Sequence, residues 1–299
     1  NYGFMRNVKF GKLTVDAVLE MKLSGSPVGL RTHLPGMESS DLYLGVAPSM
    51  RRAEENDDRL DDFTFPVALV RREGPKPLSS EFVAIHEPFN GLPNITQVTC
   101  EGFHNSEQGV AVRIEHSFGI DWILRNYGPG SKLEIGEMSL EGNLGFLRER
   151  AGRPVAMGLL DGKALSWKDS RLAGPGTYSG VITKVLREAA GERCNALVVE
   201  GDLPDGDALG GGTVIVRFGD GSTLGYAVRG VEPDGGLKRI ILLEDPGIEV
   251  HELGAKHLFC PGYDIPGKMT FGIRATAIVE LIGTEPDLRA VGSVSFAQF

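Results

Sequence analysis

Short runs with alternating side chains, cut at close intervals by Gly, Pro, Asn and Asp, constrain this chain most. Residues 7–23, NVKFGKLTVDAVLEMKL, hold stretches of period-two alternation. Similar runs recur at Asp41–Val46, Val67–Arg71, Glu81–His86, Ile95–Thr99, Gly109–Glu115 and Asp121–Arg125. Segments of this length, rich in Val, Ile, Phe and Tyr and bounded by turn formers, are strands. Glycine is 41 of 299 residues, about twice the usual ~7%, and has no three-residue period, which excludes a collagen-like chain. The expected fold class is therefore all-β: an antiparallel β-sandwich followed by a smaller β-sandwich or barrel module.

Helix signals are poor. Residues 181–190 (VITKVLREAA) suit either a short helix or a strand that frays into a loop. Residues 144–151 (LGFLRERA), with Gly142, Gly145, Gly152 and Pro154 around them, read better as two strands about a turn. A domain boundary is expected near residues 170–178, where RLAGPGTYSG is dense in Gly and Pro. This divides the chain into residues 1–170 and 171–299. In the second part Thr213–Phe218 and Leu224–Val228 flank Gly219-Asp220-Gly221-Ser222, a strong hairpin signal. Residues 51–62, RRAEENDDRLDD, read as a solvated loop. Tyr2–Glu20 already reads as strand and the first residue is Asn1, so the expectation is a piece of a longer polypeptide.

The net charge of −9 gives no global attraction for nucleic acid or an anionic membrane. No apolar run reaches the ~18 residues of a membrane span, and no signal peptide is visible. Three cysteines, Cys100, Cys194 and Cys260, are too few for a disulfide framework and form no CxxC pair.

No local catalytic motif of the nucleophile-elbow, zinc-protease, P-loop or calcium-loop type is present. Gly210-Gly211-Gly212 precedes a strand, whereas a phosphate cradle wants a helix behind it. Weak catalytic candidates are His33, at a strand end in RTHLPG, and His86, beside Glu87 in FVAIHEPFNG. His86 and Glu87 would make a proton-transfer pair only if both faced one cleft, and strand neighbours face opposite sides. His251 and His257, with Glu249, Glu252 and Cys260 near, are weak metal candidates, although a spacing of six lies outside the usual zinc pattern. His104 and His116 read as hairpin or strand-edge residues. For sugar binding, Trp122, Arg125, Asn126 and Tyr127 offer aromatic platforms and hydrogen-bonding groups in one stretch. Arg51-Arg52 and Arg71-Arg72 are candidate grips for carboxylate or sulfate. Asn94-Ile95-Thr96 fits the glycosylation pattern. Each has a plain structural reading beside it, as core, turn or surface residue.

The stretch RTHLPGMESSDLYLGVAPSMRR, then PVALVRREG, then SSEFVAIHEPFNG resembles the later part of the heparinase II/III-like family of polysaccharide lyases and their relatives. Members commonly show a strand like FVAVxEPY.G after an RR.G turn; here Phe82–Phe89 follows Arg71-Arg72-Glu73-Gly74. GTYSGVITKV, GDGSTLGYAV, ILLEDPGIEV and FCPGYDIPG are similar, in order, to the family's terminal β module. The resemblance implies a helical toroid upstream, β-sandwich domains after it, and a cleft between them. It implies β-elimination of uronic-acid-containing glycans: a base takes the C5 proton, an acid protonates the leaving oxygen, and an Asn or His with positive surroundings neutralises the carboxylate. The family's tyrosine acid/base belongs to the toroid, and its catalytic and metal-binding histidines to early sandwich strands. His104-Asn105-Ser106 matches the letters of that histidine motif but follows the EP strand, out of order. Residues 1–170 would then be the end of the large sandwich and 171–299 the terminal module, without most catalytic groups.

The resemblance thus implies no cofactor within this segment, a divalent metal only in the upstream sandwich, an acidic polysaccharide and the toroid as partners, and a periplasmic or extracellular setting. A sandwich separated from its other part would expose an apolar patch. Two further readings stand beside this one: a non-catalytic carbohydrate-binding or structural β-sandwich module, and a self-contained hydrolase or metal site using His86, His251 or His257.

Overall fold

The computed structural model describes residues 4–48, 62–101, 108–128, 130–259 and 263–280. Antiparallel strands dominate, and the ordered helical element among the described residues is one 3-10 turn, Glu188–Ala190. The fold class is all-β, as the alternation requires. No helix among the described residues is long and apolar enough to cross a membrane. By contacts the chain divides into two compact units: Asn1–Asn105 with Ile114–Ser117, and Ser106–Arg113 with Phe118–Phe299.

The first unit carries two three-stranded sheets. One is ordered β1 (Arg6–Lys12), β4 (Ser40–Pro48), β5 (Thr64–Arg72); the other is β2 (Ala17–Lys22), β3 (Val28–Leu34), β6 (Ile85–Asn90). The run 7–23 is thus two strands in different sheets. The strand expected at Glu81–His86 begins only at Ile85. Pro66 and Pro88 lie on the edge strands β5 and β6, the place in a sheet where a missing N–H costs least. A cleft of about 680 Å³ separates the two sheets, lined by Val18, Met21, Leu30, Leu44 and Val70 among others. β7 (Ile95–Glu101) completes the unit beside the end of β8 (Gly109–His116), where the Thr96 hydroxyl donates to the Glu115 carbonyl at 3.2 Å.

The second unit holds a sheet in which β8 neighbours β9 (Gly119–Asn126), then β11 (Met138–Arg150), β12 (Arg153–Trp167) and β13 (Ser170–Ala173). β10 (Leu133–Ile135) pairs with β11, and β23 (Thr276–Glu280) with β12. The two strands expected around residues 144–151 are here, joined by a turn at Ala151-Gly152 with both φ positive, 51° and 75°. That geometry matches the right-handed twist of a long hairpin. Gly142 and Gly145, read as turn markers, sit inside β11 instead. Leu124, Leu140, Leu147, Leu159 and Leu165 form the core of the sheet.

After the Gly/Pro-rich stretch the chain closes a barrel, ordered β14 (Thr177–Leu186), β15 (Ala196–Glu200), β18 (Leu237–Leu242), β17 (Thr223–Asp234), β16 (Thr213–Arg217), β22 (Thr270–Arg274). Residues 181–186 are thus strand, and the helical tendency survives only in the 3-10 turn. β16 and β17 flank the expected hairpin, where Asp220 Oδ1 accepts from the Ser222 amide and hydroxyl. Side chains fill the barrel: Leu197, Val199, Val214, Val216, Val228 and Ile240 are all buried. A small sheet of β19 (Ile248–His251), β20 (Gly254–His257) and β21 (Tyr263–Pro266) follows β18 in the chain.

The two units differ in how they bury apolar surface. The apolar core clusters among the described residues all lie beyond residue 110. Among the described residues, twelve of the eighteen exposed large hydrophobics precede residue 100, Phe10, Val18, Met21 and Phe82 among them. Leu197→Ala should therefore cost about 2–5 kcal/mol of unfolding free energy, whereas Val18→Thr should change it by no more than about 0.5 kcal/mol. Chemical denaturation of both variants checks this; comparable losses would show that the first unit has a packed core of its own.

Candidate functional site

Strand alternation on β6 sends His86 outward and Glu87 inward. Glu87 Oε1 accepts the backbone amides of Asn94 and of Ile95, the latter at 2.7 Å. Its Oε2 lies 3.3 Å from Nε2 of buried His33 on β3. Burial pushes the Glu87 carboxyl up, but the two amides and the His33 ring outweigh it and hold the pKa below the ordinary glutamate value. The carboxylate thus pins the turn between β6 and β7, the work of a structural anion rather than a base facing substrate. His86 bonds the Thr32 hydroxyl through Nδ1 at 2.9 Å and lines the apolar cleft between the two small sheets.

The other sequence candidates fall apart in space. Arg71 pairs with Glu73 at the surface, and Arg72 donates to the Ser79 carbonyl at 2.8 Å. Arg51, Arg52 and His104 lie outside the described residues. His251 and His257 stand at opposite ends of the β19–β20 hairpin, opposite Gly254 and Ile248 respectively. His251 accepts the Leu253 amide, and His257 packs edge-on against Phe259. No group of His, Cys, Asp and Glu among the described residues is placed to hold a metal; Cys260 lies outside them. Asn94 Oδ1 accepts from the Ser117 amide and hydroxyl, which ties the amide into the first unit. Burial, with Glu81 and Asp16 nearby, pushes the Cys100 thiol up to about 12, so it is no thiolate nucleophile at neutral pH.

One part of the sugar-binding stretch does converge. Trp122 packs against the sheet core, under the Arg113 guanidinium at 5.6 Å. Arg125, Asn126 and Tyr127, at the end of β9, instead line a polar cleft of about 630 Å³ with Lys132, Asn143, Asp161 and Lys163. Buried Asn126 holds the turn that presents Tyr127: its Oδ1 accepts from the Gly128 amide and the Ser131 hydroxyl, and its Nδ2 donates to the Ser131 carbonyl.

The cleft arises where β12 changes its outer neighbour. Ala156–Leu160 pair with β23, and Ala164–Trp167 with β13. Between them the β11–β12 register shifts at Glu141/Gly142, and Asp161 takes a positive φ of 54°. Gly142 and Gly162 cross so closely that a Cβ on either would lie 2.5 Å from Gly162 Cα or Leu159 Cδ1 respectively. Only glycine permits that approach. The Asp161 carboxylate is taken by the Thr177 hydroxyl, the Asn143 amide at 3.4 Å and the Arg274 guanidinium at 3.7 Å.

No protein-family model matches the chain, and no curated protein matches it.

Sequence reasoning picked out Arg125 and Tyr127 but missed Lys132, Asn143, Asp161 and Lys163. Their signal was the paired EGN (141–143) and DGK (161–163) segments, which become informative only once β11 and β12 are placed in register.

Glu87→Gln should lower the unfolding free energy by about 1–3 kcal/mol at neutral pH. Because the folded pKa of Glu87 is depressed, its contribution is complete above the ordinary value of about 4.3 and is lost as pH falls through the folded value. The stability gap between wild type and E87Q, measured by urea denaturation, should therefore shrink from pH 7 to pH 3; a constant gap would contradict the assignment.

Proposed function

We propose that the chain is the C-terminal β region of a polysaccharide lyase acting by β-elimination on uronic-acid-containing glycans, with most of the reacting groups supplied from outside it. The observation that carries this reading is the open apolar cleft between the two small sheets of the first unit. That unit carries the family-like motifs, PVALVRR on β5 and HEPFN on β6, and although Leu13, Leu34, Met37 and Phe89 are buried, Phe10, Val18, Met21, Val28 and Phe65 on its strands stay exposed. Faces of this kind are made to be covered, and the lyase reading supplies the cover in the earlier strands of the same large sandwich.

The chemistry of the described residues supports the same division of labour. The His33–Glu87 pair is buried, and both Glu87 oxygens are engaged. The Tyr226 hydroxyl is buried in the barrel, donates to the Pro246 carbonyl, and is pushed up by burial and by Glu244 and Asp245. Neither offers a base or an acid to a sugar. On this reading the chain acts as scaffold, with the glycan, the upstream toroid and a secreted or periplasmic setting implied by the family likeness. A second reading, a non-catalytic carbohydrate-binding module, is favoured by the polar cleft at Arg125.

The purified chain should give no rise in unsaturated-product absorbance with alginate, heparin or chondroitin sulfate. Product formation would overturn the assignment of the reacting groups to the rest of the polypeptide.

A further inference from the structure

We propose that the cleft at the β12 bulge is a binding site for a carboxylated sugar, its carboxylate gripped by Arg125 and Lys163 and a ring face stacked on Tyr127. Both cations are exposed and line the one cleft. Arg125 spends one N–H on the Asn143 carbonyl at 3.2 Å, which orients the guanidinium and leaves its other donors open. Lys163 has no ion-pair partner among the described residues. Lys132, the third cation, is held by Glu134 at 2.6 Å at the rim. Of the two acids in the lining, Asp161 is already saturated by Thr177, Asn143 and Arg274. Against Glu141, the second acid, Arg125 and Lys163 leave the unspent charge of the cleft positive by one, on a chain whose net charge is −9.

The rest of the lining narrows the ligand class. Tyr127 is 39% exposed, so part of its ring is free for an apolar sugar face. Glu141 offers its two carboxylate oxygens as acceptors for hydroxyl groups. Acceptors beside a positive pair suit an anion that also carries hydroxyls, and disfavour a polyphosphate. A volume near 630 Å³ lies within the usual ~300–1,000 Å³ of small-ligand sites. Cation binding is poorly served, because the best-placed carboxylate is already neutralised. Bulges and positive-φ residues concentrate at binding sites, and here both occur in the cleft wall.

This inference deepens the lyase reading and rests on its substrate class, yet the two fail separately: product formation would overturn the first without touching the cleft, and absent binding would remove the cleft alone. The test is calorimetric titration of the 299-residue chain with tetragalacturonate and with neutral maltotetraose at low salt. Tetragalacturonate should bind and maltotetraose should bind at least about tenfold more weakly. Arg125→Gln and Lys163→Gln should each weaken tetragalacturonate binding about tenfold, while Lys184→Gln on the barrel should not. Raising salt to about 0.5 M should weaken it further. Both substituted side chains are exposed, and circular dichroism checks that the variants fold. No tetragalacturonate binding, equal affinity for the neutral sugar, or binding indifferent to R125Q and K163Q would each overturn the proposal.

Discussion

Much of the second unit depends on one antiparallel ladder, the pairing of Met138–Arg150 with Arg153–Trp167. It is long enough to carry four further neighbours: β10 and β9 in succession on one side, β13 and β23 in succession on the other. A regular ladder could not change its outer neighbour without a gap. The register shift at Glu141/Gly142 and the left-handed turn of Asp161 accommodate that change, and two facing glycines let the backbones cross. The polar cleft follows from this backbone requirement.

The two units bury apolar surface in opposite ways. The barrel has no edge and fills its interior with Val, Ile and Leu, so burial within it supplies its main stabilisation. The first unit relies on hydrogen-bonded ladders and on polar ties, of which Glu87 is the centre: one carboxylate holds two backbone amides and a buried histidine. Many of its apolar residues line an open cleft, and only a few, Leu13, Leu34, Met37 and Phe89 among them, are buried. That contrast is the physical basis for the proposal that further layers cover the first unit.

The fold class was legible because alternation and turn residues are local signals. The Gly219–Ser222 hairpin and the turn at Ala151-Gly152 needed no tertiary information. Gly142 and Gly145 misled for a physical reason: a glycine kept for close backbone approach looks, in sequence, like a glycine kept for a turn. The start of β6 was misplaced because Glu81–Ala84 has strand propensity without a ladder partner. At the site, Arg125 and Tyr127 were visible as a local cluster, and Trp122 beside them was not separable from it until the sheet showed which way it faced. Lys163 and Asp161 were invisible, because what makes them matter is the register between strands.

A crystal structure of the chain with tetragalacturonate tests the account most directly. The account predicts a sugar ordered over Tyr127 with its carboxylate within hydrogen-bonding reach of Arg125 and Lys163. A sugar ordered at another surface, with this cleft empty, would contradict it.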